Sequence, residues 1–186
     1  MRFNFTSRLL ITALLSSLVY LSACSPQSQD KTTNPKTDSR DASDELKQQI
    51  EAKPVKAFDA TPNDAHDIAL LTQYQSDFES ISADLEKELN ELENQGNLTE
   101  DMKNQRKRDL IQSSLNMLKE LDLKTEQGRY IQGLYYQYWE NQMQVYHELV
   151  ISPENELQDP SDAVKGMGDY YTAEAQLKHW VAQTAQ

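Results

Sequence analysis

The chain has 186 residues, with 30 Asp and Glu against 18 Lys and Arg and a formal net charge of −12. So acidic a balance argues against nucleic acid, where affinity comes largely from Lys and Arg neutralising phosphates, and against docking of a polybasic face on an anionic bilayer. Five Gly, six Pro and 38% hydrophobic residues fit neither a collagen-like chain nor a many-turned β-barrel, and this length suits one domain with a tail.

Arg2 and Arg8 form a positive n-region, and Leu9 to Ala23 follow without a charge. A permanent membrane span needs about 20 apolar residues, so this shorter run suits the h-region of a signal peptide. Removing residues 1–23 subtracts those two Arg and no acid, which takes the net charge to −14. The run ends in Leu21-Ser22-Ala23-Cys24, which resembles the lipobox of bacterial lipoproteins at every position. The resemblance implies cleavage between Ala23 and Cys24, a diacylglyceryl group on the Cys24 thiol and acylation of the new amine. At about 0.8 kcal/mol for each buried methylene, one acyl chain holds reversibly and three hold essentially permanently. Ser25 stands where enteric-type lipoproteins carry Asp for inner-membrane retention, so the resemblance implies an outer-membrane anchor, with the domain facing the periplasm. Cys24 is the only Cys, so no intramolecular disulfide can form and the fold must rest on its apolar core.

Residues 24–60 are mostly Ser, Thr, Asp, Lys, Gln and Pro, a composition expected to form a disordered tether. A short helix over Ser43–Lys53, ended by Pro54, is compatible with it. Residues 61–186 are expected to form an all-α domain, a small bundle of three to four antiparallel helices. Thr61-Pro62-Asn63-Asp64 is a helix start. Apolar residues then recur at Leu71, Tyr74, Phe78, Ile81, Leu85, Leu89 and Leu92, a stripe about 80° wide at 100° per residue. Gly96 stops this first helix, and Thr99 caps a second carrying Met102, Leu110, Ile111, Leu115, Leu118 and Leu121.

If the two helices fold back at Gly96 as a hairpin, partners have numbers that sum to about 193, so Phe78 faces Leu115 and Ile81 faces Ile111. The same register sets Glu86, Glu88 and Glu91 near Lys107, Arg106 and Lys103, which accounts for the basic cluster 103–108 without nucleic acid. A third helix is expected from Thr125 to about Val150, with a helix continuous from Thr99 to Val150 as the alternative that Gly128 disfavours. A fourth is expected from Asp159-Pro160 to about Ala182, where Gly166 and Gly168 permit close approach of a neighbour.

The third helix carries a core stripe of Ile131, Leu134, Tyr135, Tyr138, Val145 and Leu149. A second sector beside it holds Tyr136, Trp139, Met143, Tyr146 and Val150. Together they cover about 200° of the helix, which calls for more than one neighbour. Either the fourth helix covers the second sector with Met167, Tyr170, Tyr171 and Trp180, or the sector binds a partner. Tyr136, Trp139, Met143 and Tyr146 are the candidate partner-binding residues, since exposed Tyr, Trp and Met favour interfaces.

Catalytic chemistry is not signalled. His66, His147 and His179 are scattered, and His147-Glu148 lacks the second His of a zinc-protease helix. There is no Gly-rich phosphate loop, no Gly-x-Ser-x-Gly and no redox Cys pair. Neither a catalytic residue, a metal site nor a cofactor is expected. The expected function is a lipid-anchored, non-enzymatic helical adaptor or assembly factor for another envelope protein, with no nucleic-acid partner; a homodimer through the first-helix seam fits as well as a monomer. Leu71-Thr72-Gln73-Tyr74-Gln75 resembles the Leu-Thr-x-x-Gln pattern of Spy-like periplasmic helical chaperones, although that motif starts helices in the family and Leu71 falls inside one here. That resemblance implies the alternative, a helical chaperone or apolar-ligand binder.

Overall fold

A computed structural model describes residues 39–151 and 164–184, all within the unit Thr37–Gln186. The signal segment and Cys24 lie outside the described residues, as do Asp159 and Pro160. Among the described residues the chain is all-α, with five helices and no strand: α1 (Ser39–Ile50), α2 (Asp64–Asn94), α3 (Glu100–Glu120), α4 (Glu126–Ile151) and α5 (Met167–Thr184). None is long and apolar enough to cross a membrane.

The helix ends follow local chemistry. Thr61 Oγ1 donates to Asp64 Oδ1 at 2.6 Å and closes the turn ahead of α2. At the other end Gly96 takes φ +69°, a conformation open to a residue without Cβ. The Gly96 amide then reaches the Glu93 carbonyl and the Asn97 amide the Leu92 carbonyl, each at 2.9 Å, as in a Schellman turn. Thr99 caps α3 by accepting from the Met102 amide, and Thr125 caps α4 by accepting from the Gly128 amide at 2.8 Å. The break at residues 121–125 makes α3 and α4 separate helices.

The last helix starts later than Asp159-Pro160 would have it. Gly166 sits at φ +81°, outside the helical region, and α5 begins at Met167. Gln142 of α4 donates to the Lys165 carbonyl at 3.0 Å and ties this turn to the body.

The core gathers Leu71 and Tyr74 from α2, Ile111, Leu115 and Leu118 from α3, Ile131, Leu134, Tyr135 and Trp139 from α4, and Ala173, Leu177 and Trp180 from α5. Each large apolar side chain so buried contributes about 1.5–3 kcal/mol relative to exposure. Arg106 reaches Glu88 at 2.6 Å, in the expected hairpin register, whereas Lys103 pairs with Glu100 of its own helix rather than with Glu91.

The expected tether ends well before Ala60. Residues 39–50 form α1, which packs on α5, and the segment after it runs along α5 without regular structure. Its backbone is held by side chains more than a hundred residues away: Thr172 accepts from the Lys53 amide and Gln176 from the Lys56 amide, each at 2.9 Å. Composition misjudges this stretch because much of its order comes from polar partners on α5, with Phe58 packing on Tyr130 of α4.

Candidate functional site

The second sector of α4 turns out to be largely interior. Trp139 and Tyr146 are buried, and Met143 and Tyr136 are half-buried against the core. The Trp139 indole N–H donates to Tyr74 Oη at 2.7 Å, and its ring packs on Phe78 at 4.9 Å and on Tyr138 at 4.7 Å between centroids. Tyr136 lies under the Lys119 ammonium, 5.5 Å from its ring centroid. The four candidates therefore do not form an exposed partner-binding face. Much of the cover over Trp139 comes from α2, whose Tyr74 and Phe78 stand one and two turns beyond Leu71 on the same stripe and meet α4.

A polar network crosses three helices beside them. Tyr135 of α4 donates to Glu174 of α5 at 2.5 Å. Gln75 of α2 donates to the same carboxylate at 2.7 Å and to Tyr135 Oη at 3.0 Å. Tyr170 packs against both Tyr135 and Tyr138, arrangements worth about 0.5–1.5 kcal/mol each beyond burial. Burial, with the Glu174 charge adding to it, pushes the Tyr135 and Tyr170 phenols well above their ordinary range, and burial holds Tyr138 at about 12. These phenols stay protonated at any physiological pH, so Tyr135 acts as a fixed donor and not as a base.

The base of the bundle holds the most buried charge, Asp67 of α2. Its carboxylate accepts from the Lys124 amide at 3.0 Å to each oxygen, and from the Thr125 amide and hydroxyl at 2.7 Å each. His66 Nδ1 lies 2.9 Å away. Burial opposes the charge, yet the donors win and hold the carboxyl below its ordinary value. Gly128 leaves the space: a Cβ there would stand 2.5 Å from Asp67 Oδ2. A His beside a buried Asp has the outline of a catalytic pair. Here, however, Thr125 gives its proton to Asp67 and its lone pair to Gly128, so the arrangement closes the start of α4 and arms no nucleophile.

Sequence reasoning missed Asp67, although a signal was present. The hairpin register that sets Glu88 against Arg106, carried past the end of α3, brings Asp67 within two positions of its real partner Thr125. Among the described residues no three of His, Cys, Asp and Glu gather as a metal-binding group. Comparison with protein-family models, with curated proteins and with solved structures gave no match.

What remains exposed along the expected seam is its far half. Leu71 and Tyr74 are sealed, but Ile81 of the same stripe is 39% exposed, and Leu85, Leu89 and Leu92 are half-buried. Leu98, Met102 and Leu110 across the hairpin are half-buried too. The rim differs on the two sides. Residues 81–94 carry five acids and one Lys, whereas 103–108 carry four basic groups and no acid.

Proposed function

We propose that this protein is a lipid-anchored component of the bacterial envelope, held at the outer membrane through Cys24 and facing the periplasm. Its helical domain is a non-enzymatic adaptor for another envelope protein. The reading takes the domain as a small bundle in which α2 to α5 alternate in direction, and it places the contact on the distal half of the α2–α3 hairpin, not on the Trp139 sector. The observation that carries it is the uneven cover of the α2 stripe, sealed at Leu71 and half-open from Ile81 to Leu92. A stripe of this width, flanked by acids on one edge and bases on the other, suits an amphipathic helix laid along it. Opposed rims would fix the direction of that helix more than its affinity.

Photo-crosslinking in intact cells from position 81 tests this, with position 139 and exposed Ser76 as controls. One dominant adduct is expected from 81, lost in the Cys24→Ser variant, with only internal links from 139 and none from 76. Absence of an adduct from 81 overturns the adaptor reading. Suppression of aggregation of unrelated unfolded proteins, unchanged by Ile81→Ser, would favour the helical chaperone instead. Cys24→Ser should also abolish acyl labelling, and labelling that persists removes the anchor.

A further inference from the structure

We propose that the face of α5 bearing Asp169, Thr172 and Gln176 is a binding site for an extended, lysine-bearing polypeptide segment, occupied here in cis by residues 53–58 as a releasable latch. The three side chains recur at steps of three and four, so they share one line along the helix. Thr172 donates its proton to the Gly168 carbonyl at 2.5 Å, which leaves its oxygen as an acceptor for the Lys53 amide at 2.9 Å. Gln176 reads both polar groups of one residue, taking the Lys56 N–H on Oε1 at 2.9 Å and giving Nε2 to the Lys56 carbonyl at 2.8 Å. A side-chain amide used in this way replaces the edge of a β-strand. Selectivity for lysine comes from Asp169, 2.8 Å from Lys53 Nζ, and from Tyr130 and Glu126 of α4, the ring 5.2 Å and the carboxylate 3.4 Å from Lys56 Nζ.

Burial is unequal on the two sides of this contact. Gln176 and Thr172 are 0% and 1% exposed, whereas residues 51–57 are all exposed and Val55 is left 42% open. The occupant is therefore held by hydrogen bonds and ion pairs that water can replace, and it adds little apolar area to the core. Gly168 lets the chain come close, since a Cβ there would lie 2.9 Å from the Glu51 carbonyl oxygen. Release of residues 53–58 would loosen the link between α1 and α2, while α1 keeps its own contact with α5. The binding site does not rest on the proposed anchor.

The test uses the detergent-solubilised full-length protein and a labelled peptide of residues 51–60 as the probe. The wild type should bind it weakly, because the tethered segment competes at high effective concentration. Lys56→Pro removes the N–H that Gln176 reads and weakens the cis occupant against the probe, so affinity for the probe should rise by on the order of tenfold or more. Adding Gln176→Leu, with helix content checked by circular dichroism, should cancel that rise. No binding by Lys56→Pro, binding indifferent to Gln176→Leu, or wild-type binding as tight as that of Lys56→Pro each overturns the proposal. Hydrogen exchange on the unmodified protein gives an independent reading. The Lys53 and Lys56 amides should be protected together and should open well before those of α2 to α4. Exchange only with global unfolding, or no protection at all, overturns the latch.

Discussion

The base of the molecule, around Asp67 and Thr125, and its tip, around Gly96, are built from the same α2 stripe yet differ in how many neighbours close over it. At the base α3, α4, α5 and the segment along α5 converge, and Leu71, Leu118, Ile131 and Trp180 are sealed. Towards the tip, α4 meets α5 at the Tyr138–Tyr170 contact and the turn before α5 at Gln142. On the α2 stripe, Ile81 is exposed and the leucines after it are half-buried. A periodic stripe therefore specifies which face of a helix is apolar, while the number of packed partners decides how far each position is buried.

The largest effect that could break this comparison is a matched pair of truncations on one stripe. Leu71→Ala removes a side chain with no exposure and should cost about 3–4 kcal/mol, with the residual cavity adding to the transfer term. Ile81→Ala should cost less than about 1 kcal/mol. Urea midpoints of the two variants measure the difference directly, and equal shifts would mean that the tip is packed as the base is.

Next in size is the buried carboxylate. Asp67→Ala leaves the Lys124 and Thr125 amides without their acceptor and should cost about 2–3 kcal/mol. The pH dependence has a definite sign. The folded carboxyl titrates below its ordinary 3.8, so in acid the unfolded chain binds more protons and stability falls with pH. This contribution is complete above the ordinary value and is lost as pH drops through the lowered one. Acid denaturation curves of the wild type should thus be steeper below about pH 3.8 than those of Asp67→Ala; parallel curves would show that Asp67 carries no linked proton.

How much of this was legible in the sequence depends on the range of the interaction. Thr99, Thr125 and Gly96 announce caps and a turn because their partners lie within a few residues, and the all-α architecture follows from the 3.6 period. An interior Trp139 is one of the two readings open in the sequence, but that reading puts its cover on the last helix, whereas Tyr74 and Phe78, 65 and 61 positions earlier, pack on it. The hairpin register turns their stripe toward α3, yet a stripe about 80° wide can still touch two helices at once. The ordering of residues 51–60 is harder still, because a backbone held at Lys53 and Lys56 by Thr172 and Gln176 leaves no periodic trace in its own composition. Trp139→Phe checks the revised assignment. It deletes the donor to Tyr74 Oη and some packing, and it should cost about 2 kcal/mol with helix content unchanged; a neutral result would return Trp139 to the surface.

The smallest effect belongs to the tip. Glu88 and Arg106 meet at 2.6 Å, but their side chains are 44% and 41% exposed, so water and salt screen the pair and two flexible side chains must be ordered to form it. A double-mutant cycle with Glu88→Ala and Arg106→Ala should give a coupling of about 0.5 kcal/mol or less, falling further in molar salt as the Debye length shrinks to about 3 Å. Their function in the fold is then to favour the register of the hairpin over its alternatives, since slipping α3 by one turn would move Arg106 away from Glu88. A coupling well above 1 kcal/mol that survives salt would require a dry, rigid tip, and the contrast between the two ends of α2 would fail at the place where the adaptor reading needs it.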